Sequence, residues 1–318
     1  MHLPPIASEN EYTTLLEELE PWRPAVGEVL RRHGLTFADD SLRLGGASTY
    51  PTVLVGHQHV VKLFGPWWCG PESLEAESAA YALLDGSGLP IPALRGQGAL
   101  RDDWHYLLLG QLRGSDIAAE REHLDGDALV NIARWLGRFC HDLRRIALPA
   151  EGYLSGSWSR FHGFLSERCE ELIHRPSEES RLPAHLHAEL ADWLPQVDDL
   201  IDASRSPALL HGDLHDHHVL GTVKGSAFVP NGVIDFTDAL AGDPYYEIGP
   251  LHLHTFRADR RLLAAWLAEA RLPPAGPLGF RRRALAFTLL HEFDPIDRLR
   301  DEIAGLQTLD AVADELFG

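Results

Sequence analysis

Cysteine is scarce. The 318 residues contain three, Cys69, Cys140 and Cys169, and none stands in a C-x-x-C pair. A zinc ribbon and a disulfide framework are therefore not indicated, and a reducing compartment fits best, so a cytoplasmic protein is expected. Long apolar runs are missing too. Nothing approaches the ~20 residues of a membrane span, and Met1 to Asn10 shows no basic stretch followed by an apolar one, so neither a membrane partner nor a secretory leader is expected. Positive charge is in deficit: 28 Lys and Arg against 47 Asp and Glu leave a net −19. A field of that sign opposes nucleic acid and anionic membranes as bulk partners, weakly favours cationic ligands, and also serves plain solubility. There is no G-x-x-x-x-G-K-[ST] run, which disfavours a P-loop enzyme. Internal repeats and low-complexity tracts are absent.

What is present is a core-forming chain, 45% hydrophobic, of a length that suits about two domains. Glu9 to His33 reads as helix, with Leu15, Leu16, Leu19, Val26, Val29 and Leu30 on one face and a break or kink at Pro21. Three strands follow, 41–44, 51–55 and 59–64, with Gly45-Gly46-Ala47-Ser48-Thr49 as the loop between the first two. A helix rich in Glu and Ala runs from about Pro71 to Leu84 and is stopped by Gly86-Ser87-Gly88. The Pro90 and Pro92 segment is extended, and Trp104 to Leu109 is another strand ending at Gly110. Beyond Gly114 the pattern turns helical: Asp127–Ile146, Trp158–Ile173, Leu186–Ala203, Arg260–Arg271, Phe280–Phe293 and Ile296–Leu316, interrupted by one short apolar strand pair around Val219 to Phe236. Strand-rich then helix-rich order predicts an α+β chain with two lobes, residues 1–110 and 111–318, rather than alternating α/β.

The chemistry concentrates in Leu209-Leu-His-Gly-Asp-Leu-His-Asp-His-His-Val-Leu220, followed by Gly232-Val-Ile-Asp-Phe-Thr-Asp238 and Gly242-Asp-Pro-Tyr-Tyr-Glu247. Asp213 falls in a loop after an apolar segment, and Asp235 at the end of the short strand Val233-Ile234. Two carboxylates on adjacent loops suit metal-assisted phosphoryl transfer. One orients the acceptor oxygen or takes its proton, and the other holds the cation that bridges the phosphates. Net negative charge does not exclude a nucleotide, because phosphates are held by local amides, a lysine and metal ions.

His211-Gly-Asp-Leu-His215, Ile234-Asp-Phe236 and Gly242-Asp-Pro244 together resemble the aminoglycoside phosphotransferase and choline kinase-like family, over about Leu42 to Glu247. The resemblance implies a bilobal protein-kinase-like fold, with an N-terminal antiparallel sheet lobe and a mainly helical C-terminal lobe. It also implies transfer of the γ-phosphate of ATP or GTP, with Mg2+ or Mn2+, to a hydroxyl of a small molecule by a monomer or homodimer. Position by position, it implies that Asp213 faces the substrate hydroxyl and Asp235 binds the metal. Lys62 holds the α- and β-phosphates, and Glu77, with Glu75 as fallback, pairs with that lysine. Gly46, Ser48 and Thr49 belong to the loop over the phosphates. The Gly110 carbonyl and Leu112 amide meet the adenine edge, and Asp243 and Glu247 brace the catalytic loop. An antibiotic or related natural product is the first expectation for the acceptor, and a sugar or amino alcohol the second.

One position departs from the family pattern: His218 stands where an asparagine usually ligates a metal. Imidazole suits softer cations than Mg2+. His218 therefore either ligates a metal and shifts preference towards Mn2+, or contacts a phosphate oxygen or a metal-bound water, or yields its place to Asp216 or Asp238. A weakened site would instead make the chain a nucleotide-binding pseudokinase. Plainer readings stand beside the sharper ones. A lone strand lysine, a Gly-Gly pair or a helix glutamate is usually nothing more. Trp67-Trp68 suits a small-lobe cap as well as a platform, and Glu292, Asp294, Asp297 and Asp301 suit a solvated face as well as an acceptor pocket. The histidines 211, 215, 217 and 218 invite a metallohydrolase, but they match no H-E-x-x-H run, and 217 and 218 in an extended segment point opposite ways.

Overall fold

The computed structural model describes residues 3–38, 41–46, 48–101 and 103–318. The chain divides into two compact units. One takes the residues up to Gly114 together with the returning segment Asn231–Asp238, and the other takes Ser115–Pro230 and Ala239–Gly318.

The first unit opens with α1 (Glu9–Leu16) and α2 (Arg23–Arg32). Ser8 caps α1, its hydroxyl accepting from the Glu11 amide, and Pro21 falls in the break between the helices. Strands β1 (Leu42–Leu44), β2 (Thr52–Val55) and β3 (His59–Phe64) precede α3 (Gly70–Leu84), and β4 (Leu94–Arg101) and β5 (Trp104–Gly110) follow it. They make one antiparallel sheet in the order β1-β2-β3-β5-β4. Tyr12, Trp22, Val26, Val29 and Leu30 of the helical segment are buried in one cluster with Val53, Val61, Leu63, Trp104 and Leu108 of the sheet. Each such side chain contributes roughly 1.5–3 kcal/mol by leaving water. Because strand side chains alternate, anchoring Val61 and Leu63 in this cluster turns Lys62 to the opposite face.

The second unit runs β6 (Ser115–Asp116), α4 (Ile117–Glu120), α5 (Gly126–Leu143), α6 (Ser159–His174), α7 (Ala184–His187), α8 (Leu190–Trp193), α9 (Val197–Leu200), β7 (Ala208–Leu210), β8 (Val219–Lys224), β9 (Ala227–Val233, whose end lies in the first unit), β10 (Leu240–Gly242), α10 (Arg260–Ala270), α11 (Phe280–Leu289), α12 (Arg300–Ile303) and α13 (Leu309–Phe317). β7 pairs antiparallel with β10, and β6, β8 and β9 form a second small sheet. The α+β reading holds.

One strand was not expected, and three local expectations do not hold. Leu94–Arg101 is a strand that its two glycines, Gly96 and Gly98, had hidden. The helix expected over 186–203 is three single turns, α7 to α9, with Pro195 falling between the second and third. The helix expected over 296–316 stops after α12. It restarts at α13, where Thr308 accepts from the Ala311 amide as a new N-cap. Finally, Asp216–His218 is one 3-10 turn rather than an extended piece.

Candidate active site

In the first unit the site is built on β3, α3 and the returning segment. Lys62 is one of only two lysines in the chain. It is 4% exposed, with Nζ 3.0 Å from Glu77 Oε2 and 2.8 Å from Asp235 Oδ1. Burial works against its charge, but the two carboxylates outweigh that and raise its pKa, so it stays an ammonium. Glu77 is 1% exposed and shares the inner face of α3 with Ala76, Ala80, Tyr81 and Leu84. Glu75, two positions back and so about 200° around the helix, faces elsewhere. It lines a surface cavity of about 370 Å3 with Pro71, Leu74 and Ser78. The lysine's helix partner is Glu77.

Asp235 reaches Lys62 because of how its segment is laid down. The Val233 amide donates to Pro90 O (2.9 Å), and a Cβ on Gly232 would lie 2.3 Å from that same oxygen, so only glycine admits the approach. Asp235 itself sits at φ 67°, left-handed and strained for a non-glycine residue. The Thr237 hydroxyl hydrogen-bonds both Asp235 Oδ1 (2.8 Å) and Asp238 Oδ2 (2.9 Å). In the loop between β1 and β2, Gly46 has open space around its Cα, Ser48 Oγ lies 3.2 Å from Thr52 Oγ1, and the Thr49 carbonyl accepts from the Tyr12 hydroxyl at 3.0 Å. Ala47 lies outside the described residues. Gly110 closes β5 with its amide donating to Ala93 O (2.8 Å), and Leu112 packs against Gly232.

In the second unit Asp213 follows Gly212, whose φ of 86° makes the turn that ends the approach from β7. The loop is held from three sides. Glu247 Oε1 accepts from the amides of His211 (2.6 Å) and Gly212 (3.2 Å). Buried His291 donates from Nε2 to Gly212 O (3.0 Å), its Nδ1 accepting from the Phe293 amide and so fixing the tautomer. His218 Nδ1 donates to Asp213 O (2.8 Å). Asp243 does not share the work of Glu247; it pairs instead with buried Arg283 at 2.7 Å. Sequence reasoning missed His291 altogether. It lies 79 residues from its partner and belongs to no local motif.

Burial alone would raise the Asp213 carboxyl. The hydrogen bond from His215, Nε2 to Oδ2 at 3.4 Å, and the charges of His218, His215 and His211 hold it down to about 2. His215 moves oppositely. Burial disfavours its charge, but Asp213 and Asp216 lift it to about 9. Asp213 is thus an anion at neutral pH, a good acceptor of a hydroxyl's hydrogen bond and a weak base towards a free alcohol. Asp213, His215 and His218 lie close enough for their ligand atoms to fall within 4.8 Å of one another, a nitrogen-rich set. His217 is exposed and stands apart from it. Asp294, a sequence candidate for the acceptor pocket, is gripped by Arg168 (3.0 Å) and Arg175 (3.2 Å), and Asp297 lies 3.5 Å from Arg181.

No helix among the described residues is long and apolar enough to cross a membrane. In comparisons with known proteins, the chain resembles the GDP complex of aminoglycoside 2'-phosphotransferase-IIIa with a TM-score of 0.64 at 19% identity. That match covers 92% of this chain and 97% of the other. It resembles aminoglycoside phosphotransferase APH(3'')-Id from Streptomyces rimosus, bound to ADP and streptomycin, with a TM-score of 0.59 at 17% identity over 87% and 98%. At such identities the likeness establishes the protein-kinase-like fold. Among curated proteins it matches lysine-specific demethylase JMJ21 of Arabidopsis thaliana, 22% identical over 204 residues, 54% of this chain. The match spans about a fifth of that protein's length (22%). Residues 42–285, which include every site residue named above except those from His291 onward, match the phosphotransferase enzyme family, and the chain belongs to it.

Proposed function

We propose that this chain moves the γ-phosphoryl group of ATP or GTP onto a hydroxyl of a small molecule. An antibiotic or related natural product is the first class of acceptor to test, and a sugar or amino alcohol the second. The observation that carries the reading is Lys62, buried and charged between Glu77 and Asp235. A chain has little reason to bury an ammonium with two carboxylates for stability alone, since hydrophobic replacement of such groups is often neutral or better. A lysine fixed in this way is a preset point charge for the α- and β-phosphates, with the amides and hydroxyls of Gly46, Ser48 and Thr49 as further donors. Gly110 and Leu112 supply backbone groups to the base.

Asp213 accepts a hydrogen bond from the acceptor hydroxyl and points its oxygen at the γ-phosphorus. As the new O–P bond forms, the bond to the β–γ bridging oxygen breaks and the nucleoside diphosphate leaves. The hydroxyl proton passes to Asp213 late, when the attacking oxygen has become acidic enough for a carboxylate held near 2. Glu247 and His291 keep the loop in place while this happens.

The family's divalent cation fits Asp235, a hard oxygen donor whose side chain is 25% exposed and oriented by Thr237. His218 fits less well. With Nδ1 spent on a carbonyl, only Nε2, in the deprotonated imidazole, would ligate, a donor better suited to Mn2+ than to Mg2+. When bound, the cation neutralises charge on the β- and γ-phosphoryl oxygens.

The test is Asp213→Asn in a coupled nucleotide-consumption assay with a library of hydroxylated compounds, beside calorimetric nucleotide binding. Turnover should fall by about 10²–10⁴-fold with nucleotide affinity unchanged. Turnover within threefold of the parent removes Asp213 from the mechanism. Nucleotide binding without consumption by the unmodified chain favours a pseudokinase.

A further inference from the structure

We infer that the acceptor is a compact hydroxy acid whose carboxylate or phosphate pairs with Arg298. The inference rests on the phosphotransferase reading above and moves its acceptor away from cationic antibiotics and amino alcohols to an acid. The second unit holds a cavity of about 230 Å3 lined by Asp213, His215, Asp216, His217, His254, Phe293 and Arg298. Sites for drug-sized ligands run to ~300–1,000 Å3, so this volume suits one sugar-sized molecule rather than a multi-ring one.

The charges around the cavity are unevenly committed. Asp213 and Asp216 are each faced by His215, at 3.4 and 3.8 Å. On the segment that carries Phe293 and Arg298, Asp294 is held by two arginines and Asp297 by one. Of the carboxylates a polycation would need, Asp294 and Asp297 are thus engaged, and Glu292, whose pKa burial raises, is the one left as a cation anchor. Arg298 makes no ion pair or hydrogen bond among the described residues, although its charge reaches His254. Burial first, and then that charge, keep His254 neutral, with a pKa of about 4. The cavity wall therefore joins an uncommitted guanidinium, a neutral imidazole and the exposed ring of Phe293 to Asp213, the carboxylate assigned above to the acceptor hydroxyl, with Asp216 beside it. A guanidinium forks a carboxylate or phosphate in two parallel hydrogen bonds, which fixes orientation as well as affinity. An acceptor held by its acid group at Arg298 presents its hydroxyl to Asp213.

Three probe sets decide it, offered to the full chain with ATP: gluconate, glycerate and glucose 6-phosphate; choline and ethanolamine; kanamycin and streptomycin. Transfer should be confined to the first set. Arg298→Ala should raise KM for the acid by about 10- to 100-fold with kcat within threefold, Arg298→Lys should recover part of it, and Glu292→Gln, the competing cation anchor, should change nothing. Preferential turnover of either cationic set, KM indifferent to Arg298→Ala, or loss with Glu292→Gln overturns the assignment. Calorimetry on the Asp213→Asn protein separates the two levels. Failure of every acid to bind overturns the Arg298 subsite. Acid binding without turnover by the parent chain overturns the phosphotransferase reading and leaves the subsite standing.

Discussion

Replacing Lys62 by Met tests the first unit's charge cluster most sharply. The ammonium is 4% exposed and Glu77 1%, so removing the cation leaves Glu77 as an uncompensated buried anion. Breaking a buried pair from one side costs about 3–5 kcal/mol. Asp235 adds little to that loss, since its side chain is 25% exposed and keeps Thr237 as a partner. The deficit should depend on pH. Burial raises the Glu77 pKa, and Lys62 pulls it back down. Without Lys62 the folded pKa rises further above its unfolded value, so the folded variant binds the extra proton. Its stability then falls as pH rises between the unfolded and folded pKa values, by up to about 1.4 kcal/mol per pH unit. Urea unfolding of the parent, Lys62→Met and Lys62→Met/Glu77→Leu at pH 5.5 and 8 is the assay. The single variant should lose most at pH 8 and less at pH 5.5, and the double variant should recover most of the loss at both without regaining nucleotide binding. A single variant within about 1 kcal/mol of the parent at pH 8, with no pH dependence, refutes the buried-anion argument.

Two further outcomes are expected. His218→Asn should keep turnover and move the metal preference from Mn2+ towards Mg2+; an unchanged ratio of rates in the two metals removes His218 as a ligand. His252 is buried with Nε2 donating to Leu316 O (2.9 Å) and Nδ1 without a hydrogen-bond partner among the described residues, and burial pulls its pKa down to about 4. Its folded pKa lies below the unfolded value near 6.5, so the unfolded chain takes up the proton first and stability falls as pH drops from about 6.5 to 4, by roughly 3 kcal/mol. Unfolding free energies across that range should show a shallower acid slope in His252→Gln, which keeps the donor to Leu316; identical slopes contradict it.

Local patterns in the chain carried the elements that punctuate themselves. Pro21 announced the break between α1 and α2, the turn Gly56-His57-Gln58 and the apolar residues around Lys62 announced β3, and Gly86-Ser87-Gly88 announced the end of α3. β4 was hidden because Gly96 and Gly98 contribute no alternation, although Gly96 is small for a reason, a Cβ there falling 2.1 Å from the His33 ring. The C-terminal helices read as longer than they are because apolar spacing continues through Pro195 and through the capping Thr308. The motif residues of the site were legible one by one. Their supports were not. Glu247 on the amides of His211 and Gly212, His291 on Gly212 O, and the arginines on Asp294 join positions 35 to 126 residues apart. No periodicity connects such partners, so only the fold reveals them.

The return of Asn231–Asp238 to the first unit has a practical consequence for dissecting this chain. A fragment ended at Gly114 would contain the lysine and its helix glutamate but lack the third member of their cluster, along with the strand end that seats on Pro90. The halves therefore cannot be exchanged between family members at a single junction. A chimera that swaps the front of the gene must also carry eight residues from deep within the back, or it will pair one parent's lysine with the other parent's aspartate.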